Sequence, residues 1–253
     1  MIVACSTLCF GRYSLEDALR TIRQLHFSKA DLAIHADGPH LRPADLPPEV
    51  GKWAQKLKAA NLGYAAFHME FDQPDGPAVR EQLRAACRLA RLLAVPVLTV
   101  PAADAGADLE AEAKRLTDWV KLAEADGIIL TVETRSGTLT QDAACAVDLC
   151  RKVPGLGLTL DPSHYHCGPH RSAGYDAVYP FVRHVRLRDS GADPTQFQVR
   201  VGQGEIEYGK ILGHLDRCQY DRSLTVDVRD IPDSAFPVEP EVRKLKFLLE
   251  SLV

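Results

Sequence analysis

The chain has 253 residues, of which 46% are hydrophobic, and this is enough apolar material for one sizeable core. Charged residues make up 25% and the formal net charge is −4, which disfavours binding to nucleic acid because such proteins usually present a basic face. No apolar run approaches the roughly 20 residues that cross a bilayer, so we expect no membrane partner either.

Apolar and amphipathic segments alternate along the whole chain. Short apolar runs predict eight strands. These runs are residues 2–7, 30–34, 64–69, 95–100, 128–133, 156–161, 184–187 and 224–228. Segments with apolar residues at helical spacing predict the helices that follow the strands. They are residues 14–25, 47–61, 77–93, 108–126, 140–153, 175–182, 208–218 and 239–252, with Ser14 and Thr140 as predicted N-caps.

Eight strand–helix units in a chain of this length predict the α/β class and a single (β/α)8 TIM barrel domain over residues 1–253. A doubly wound open sheet is the alternative, but it usually has fewer units and a glycine-rich first turn. The first turn here, residues 6–11, is not rich in glycine.

Three acidic residues end apolar strands: Glu133, Asp161 and Asp227. A carboxylate in that position is costly unless it faces a cation, a partner or a functional cavity. Side chains alternate along a strand, so each carboxylate shares its face with the threonine two residues earlier, and Arg186 likewise lies above His184. In a parallel barrel these strand ends meet at one rim, where active sites are built.

Other polar residues belong to the same predicted rim. His68 and Glu70 end the third strand, and His164 begins the loop after the sixth. The polar loop residues His35, Asp37 and His40 lie near the rim too, but solvation explains them equally well. The crowded stretch 164–170 offers four potential zinc ligands, and ligands so closely spaced rarely complete one tetrahedral site.

Three converging carboxylates repel one another, which raises at least one pKa unless a positive charge is present. A divalent Mn, Mg or Zn ion suits carboxylate and imidazole ligands and would supply this charge. The guanidinium group of Arg186 would supply it without a metal. The residues leave both readings open.

Several segments resemble the xylose isomerase-like TIM barrels, the sugar phosphate isomerase/epimerase group that includes hydroxypyruvate isomerases, ketose 3-epimerases and endonuclease IV. The resemblance covers nearly the whole chain. Its most specific segments are Val132-Glu133, Leu160-Asp161-Pro162-Ser163-His164, His184-Val185-Arg186-Leu187-Arg188-Asp189 and Val201-Gly202-Gln203-Gly204-Glu205-Ile206-Glu207-Tyr208.

The resemblance implies that Glu133 is a metal ligand and acid/base, that Asp161 is a ligand and that His164 contacts substrate. Asp227 falls where the group has a glutamate that is both a ligand and the second acid/base. Arg186 falls where the group usually has a metal-binding histidine, and a guanidinium cannot ligate a cation.

Three interpretations follow from this departure. A weakened metal site remains on Glu133, Asp161 and Asp227; or no metal is needed, because Arg186 replaces it and binds a substrate carboxylate or phosphate; or the barrel binds a ligand without turning it over.

We therefore expect an isomerase or epimerase of a small sugar or sugar acid, free or phosphorylated, that moves a proton next to a carbonyl through an enediol(ate). Glu133 and Asp227 are the predicted acid/base pair, and Arg186, His68, Glu70 and His164 the predicted substrate contacts. The alternative is a degenerate barrel that has lost its metal site and binds a small anionic ligand. Seven cysteines without paired spacing and the absence of a basic leader indicate a cytoplasmic protein. The sequence names neither the substrate nor the oligomeric state.

Overall fold

Eight parallel strands close into a barrel, in the order of the sequence, in the computed structural model, which describes residues 1–231 and 234–253. The strands are β1 (Ile2–Ser6), β2 (Lys29–His35), β3 (Gly63–Glu70), β4 (Val97–Val100), β5 (Ile129–Glu133), β6 (Gly157–Leu160), β7 (Val182–Leu187) and β8 (Ser223–Val226). The helices are α1 (Leu15–Gln24), α2 (Val50–Ala59), α3 (Pro77–Leu92), α4 (Leu109–Glu124), α5 (Ala143–Lys152), α6 (Pro162–Cys167), α7 (Tyr208–Arg217) and α8 (Val238–Leu252). The predicted (β/α)8 barrel is confirmed.

The alternation of side chains divides each strand between two environments. Outward aliphatic residues such as Leu98, Leu130 and Leu158 are fully buried in the apolar core between the strands and the helices. The inward face carries hydroxyl groups instead. Thr131 Oγ1 lies 2.8 Å from Thr159 Oγ1 and donates to Thr99 Oγ1 at 3.0 Å. This threonine layer satisfies its own polar groups and forms a floor below the strand ends.

Some predicted local features are wrong. Thr140 does not cap α5, because the helix begins after Asp142, whose Oδ1 accepts from the Ala144 N–H at 2.9 Å. Thr140 instead donates from Oγ1 to the Glu133 carbonyl at 2.6 Å and so holds the end of β5. By contrast, the short helix predicted around residues 175–182 is present, as a 3-10 helix over Asp176–Phe181.

The glycine-rich segment after β7 closes on Asp189. The Gly202 and Gly204 N–H groups both donate to Asp189 Oδ2, at 2.6 and 3.2 Å. Gly202 has φ of +86°, and a Cβ at Gly204 would lie 2.1 Å from Asp189 Oδ1. Glycine is therefore required at both positions, since the first adopts a left-handed conformation and the second has no space for a side chain. The contact fixes the loop that covers part of the rim.

Within the described residues, none of the helices combines the length and the apolar character needed to cross a membrane.

Candidate active site

The predicted strand-end residues converge at the carboxyl end of the barrel. Glu133, Asp161, Arg186 and Asp227 are all 1% exposed or less. His184 lies one layer deeper, as predicted, and contacts Asp31 Oδ2 at 3.0 Å. The strand ends therefore form a buried polar centre above the threonine layer.

One part of this centre is an arginine cluster, which we define as Asp161, Arg186, Arg188, Asp227 and Arg229. Arg186 donates from Nη2 to Asp227 Oδ1 at 2.8 Å. Arg188 bonds through Nη2 to Asp227 Oδ2 and lies 2.9 Å from Asp161 Oδ2 with the same nitrogen. Arg229 donates from Nε to Asp227 Oδ2 at 3.3 Å. Asp227 thus engages three guanidinium groups with its two carboxylate oxygens.

The opposite charges of Asp227 and Arg186 stabilise each other. Burial alone would raise the pKa of Asp227, but Arg186, Arg229 and Arg188 hold it well below its usual range. Burial opposes the charge of Arg186 as well, and Asp227, Asp31 and Glu133 nevertheless raise its pKa. Both groups therefore stay ionised in the interior.

A second part of the centre is a histidine cluster, which we define as His35, His68 and Glu70. His35 Nε2 and His68 Nδ1 share a hydrogen bond of 2.7 Å. Glu70 Oε2 lies 3.9 Å from His35 Nδ1, and Glu70 Oε1 accepts from Arg135 Nη1 at 2.6 Å. The cluster lies on two adjacent strands, because the register of β2 and β3 pairs His35 with Glu70.

The environment keeps His35 neutral and Glu70 charged. Burial, followed by the neighbouring His68, lowers the pKa of His35 to about 3. Burial alone would raise the pKa of Glu70, but the two imidazoles and the Arg135 guanidinium lower it to about 2. Since His35 is neutral near pH 7, Arg135 is the stable positive partner of Glu70.

Glu133 lies between the two clusters. Its Oε2 is 3.3 Å from His68 Nε2, and its Oε1 is 3.7 Å from Arg186 Nη1. Within residues 1–231 and 234–253, neither oxygen has a hydrogen-bond partner, and Arg186 Nη1 has none either. Burial alone would raise the pKa of Glu133, but His68 and Arg186 lower it well below its usual range.

A cavity of about 550 Å³ opens above the histidine cluster, and we call it the rim cavity. Its lining includes His35, Glu70, Phe71, Arg135 and Arg229. Phe71 also packs edge-on against the ring of the fully buried Trp119, with ring centroids 5.5 Å apart. The rim cavity is a concave space next to the polar centre, lined by charged groups of both signs.

His164 lies on the opposite side of the centre. It belongs to the short helix α6 and not to a loop as predicted. Its Nδ1 accepts from the Ser136 N–H at 3.2 Å, and its Nε2 lies 3.8 Å from Asp161 Oδ2. Phe197 packs on its ring and also on the guanidinium of Arg188, so this aromatic side chain covers the arginine cluster.

A family model for the xylose isomerase-like TIM barrel matches residues 19–248. The chain belongs to this family. The segments around Glu133, Asp161, Arg186 and Gly202 predicted this membership from the sequence. A search of curated protein sequences finds no match.

Solved structures of other xylose isomerase-like barrels superpose over the full chain. One is a family member from Mycobacterium smegmatis in complex with magnesium, with a TM-score of 0.78, 17% identity and coverage of 100% of this chain and 98% of the other. Another is the D-allulose 3-epimerase from Methylomonas sp. in complex with D-allulose, with a TM-score of 0.75, 14% identity and coverage of 100% and 97%. A third is the 3-keto-D-glucoside 4-epimerase from E. coli, with a TM-score of 0.73, 13% identity and coverage of 99% of both chains. At these identities the likeness shows the fold.

The residues at the family's metal position do not fit a divalent cation in this xylose isomerase-like barrel. Asp227 engages guanidinium groups with both oxygens, and Asp161 Oδ2 lies against Arg188. A cation between Glu133, Asp161 and Asp227 would lie against the positive charges of Arg186 and Arg188, in an interior that screens them poorly. The two arginines supply the charge that the carboxylates need.

Four important residues of the site were missed from the sequence: Asp31, Arg188, Arg229 and, beyond its assignment to a polar loop, His35. Alternation gives the signal for two of them, because Arg188 shares the inward face of Arg186 and Arg229 that of Asp227. Likewise Asp31 and His35 share one face of β2. A strand-by-strand count would have found all four.

Proposed function

We propose that this family member is an isomerase or epimerase of a small sugar or sugar acid, which moves a proton next to a carbonyl. Family membership supports the reaction class. The observation that carries the proposal is the pair Glu133 and Arg186, buried and 3.7 Å apart, each with polar atoms that lack a hydrogen-bond partner among the described residues. Buried polar atoms are nearly always paired, so an open acceptor beside an open donor suits a substrate.

In this proposal Glu133 takes the proton from the carbon next to the carbonyl. Its lowered pKa keeps the carboxylate ionised at neutral pH, so the base form is present before the substrate binds. The open Nη1 of Arg186 donates to the oxygen that becomes negative in the enediol(ate). The proton then returns from Glu133 to the neighbouring carbon, and the proton of the adjacent hydroxyl passes directly to the first oxygen of the enediolate, so that the carbonyl and the hydroxyl exchange places.

Asp227 is the predicted second acid/base, and its surroundings support another role. A carboxylate with three guanidinium partners and a depressed pKa is a poor proton acceptor, so we assign it to holding Arg186 in place. A single free carboxylate favours a proton shift on one face, as between an aldose and a ketose. Inversion of a carbon centre needs groups on two faces.

The rim cavity is the proposed route for the substrate. Its lining holds three arginines and three acidic residues, which supports a polar substrate whose hydroxyl and carbonyl groups both donate and accept hydrogen bonds. These residues are Arg12, Arg135, Arg229, Asp37, Glu70 and Asp230. Glu133 is 1% exposed, so side chains at the rim must move before the substrate reaches it. His164, beside Asp161, is the proposed contact on the far side.

The test is exchange of the substrate proton with solvent. A panel of aldoses, ketoses and their acids and phosphates is incubated with the protein in D2O, and deuterium next to the carbonyl is followed by NMR. We expect Glu133→Gln to lower the exchange rate about 10²- to 10⁴-fold. Glu112→Gln is the matched control, because Glu112 is a buried glutamate that bonds to Arg115 outside the site. Undiminished exchange by Glu133→Gln would overturn the mechanism.

Binding without turnover is the second candidate function. The observation that favours it is the arginine cluster, in which Asp227 pairs with three guanidinium groups, because so many ion pairs on one carboxylate resemble a structural network more than a reaction centre. A small acid or phosphate that raises the melting temperature of the protein, yet exchanges no proton in D2O at saturation, would support it.

A further inference from the structure

We propose that the histidine cluster is a binding site for a divalent transition-metal ion of the Zn²⁺ class, separate from the family's metal position. His35, His68 and Glu70 each offer one ligand atom, and these three atoms lie within 4.8 Å of one another. Both histidines are buried, and neither is bonded to a group of the arginine cluster. The proposal concerns metal binding alone and does not depend on the isomerase chemistry.

The orientation of His68 is that of a metal ligand. A ligating histidine commonly directs its second ring nitrogen at a carboxylate, which fixes the tautomer. His68 Nε2 lies 3.3 Å from Glu133 Oε2, so a proton on Nε2 leaves the lone pair on Nδ1. Nδ1 is the atom that faces His35 Nε2 and the centre of the cluster. Glu133, buried and otherwise unpaired within the described part of the chain, thus acts as the outer partner of His68.

Glu70 is the third proposed ligand, and its orientation is fixed by Arg135. Its Oε1 is held by Arg135, which leaves Oε2 on the side of His35. His35 and Glu70 also line the rim cavity, so a metal held by three protein ligands has its fourth position towards the cavity. Three protein ligands and one open position are the arrangement of a catalytic zinc site.

The chemistry of the ligands selects the ion. Two imidazoles and one carboxylate suit Zn²⁺ or Co²⁺, whereas Mg²⁺ prefers oxygen ligands. Tetrahedral zinc with Zn–N bonds of roughly 2.0–2.1 Å places two ligating nitrogens about 3.3 Å apart. His35 Nε2 and His68 Nδ1, now 2.7 Å apart, must separate by about half an ångström when the metal replaces their hydrogen bond.

The test uses chelator-treated full-length protein titrated with Co²⁺, followed by its visible absorption and by calorimetry. We expect one ion per chain, the absorption of a tetrahedral complex, and displacement by Zn²⁺ but not by Mg²⁺. His68→Gln and Glu70→Gln should weaken binding at least about 100-fold, and Glu133→Gln, as an outer partner, about 10- to 100-fold. His40→Gln is the control, because His40 lies in the same loop region outside the cluster and should leave binding unchanged.

Each contrary outcome is decisive. The site would be overturned if the wild type showed no saturable Co²⁺ binding, or if His68→Gln and Glu70→Gln bound Co²⁺ as tightly as the wild type. The histidines would then be no more than a hydrogen-bonded pair. Glu70 is half-buried and its variant should fold, so melting curves of the two variants separate lost ligands from lost structure. Because the readout is metal binding, failure of proton exchange in D2O does not affect it.

Discussion

The arginine cluster and the histidine cluster lie at the same rim but differ in their carboxylates, because Asp227 at the centre of the first is fully paired and Glu133 beside the second is not. In the arginine cluster, Asp227 gives both oxygens to guanidinium groups and Asp161 lies against Arg188. In the histidine cluster, one hydrogen bond joins the two imidazoles, and the neighbouring Glu133 has none within the described residues. Asp227 is thus fully paired and fixes the arginines around it, whereas Glu133, with the open Nη1 of Arg186 beside it, retains capacity to bind a ligand.

The largest expected effect is on the stability of the arginine cluster. Asp227→Asn should lower the free energy of unfolding by about 3–5 kcal/mol, because it leaves buried guanidinium charges without their partner. Asp148→Asn is the control, since Asp148 and its partner Arg151 are 54% and 69% exposed, and exposed pairs contribute about 0–1 kcal/mol. Urea unfolding of both variants measures the difference, and equal losses would contradict the comparison.

Acid should reduce the difference in the free energy of unfolding between the wild type and Asp227→Asn. The pKa of Asp227 is depressed in the folded state, so its stabilisation is fully present above the unfolded-state pKa of about 3.9 and is lost as the pH falls below it. The gap between wild type and Asp227→Asn should therefore be constant from pH 7 to 5. Below pH 4 it should narrow by up to about 1.4 kcal/mol per pH unit. Urea unfolding curves measured at several pH values test this prediction. A difference that widens as the pH falls would contradict it.

Metal binding at the family's position should require the removal of two arginines. Arg186→His alone should not create a site, because Arg188 still contacts both Asp161 and Asp227. The double variant with Arg186→His and Arg188→Met should bind Mn²⁺ at least about tenfold more tightly than Arg186→His alone, a difference of about 1.4 kcal/mol in binding free energy. Calorimetry on the two variants compares them. Tight binding by the single variant would mean that Arg188 does not block the position.

The smallest expected effect is that of Glu133→Gln on stability. Glu133→Gln removes both the cost of burying a charge and the attraction of that charge to Arg186 and His68. Because these two effects oppose each other, the free energy of unfolding should change by less than about 1 kcal/mol. The same urea experiment as for Asp227→Asn gives the comparison. A loss as large as that of Asp227→Asn would mean that Glu133 holds the arginine cluster together as Asp227 does.

Strand alternation was enough to predict most of the site from the sequence. It placed Glu133, Asp161, Arg186 and Asp227 at one rim, with His184 one layer below, because each property depends on a single strand. The pairing of His35 with His68 depends on the register between two strands, 33 positions apart in the chain, which local patterns do not encode. The role of Thr140 was missed for a similar reason, since its hydroxyl serves the end of β5 and not its own helix.

The contact between Phe71 and Trp119 gives the protein an internal optical probe. The chain has two tryptophans. One of them, Trp53, lies in α2 and donates from Nε1 to the Asp45 carbonyl at 3.1 Å. Trp119 is fully buried against a phenylalanine that lines the rim cavity. In a Trp53→Phe variant, a ligand that displaces Phe71 would change the emission of a single fluorophore, so compounds that enter the cavity can be found before any reaction is known.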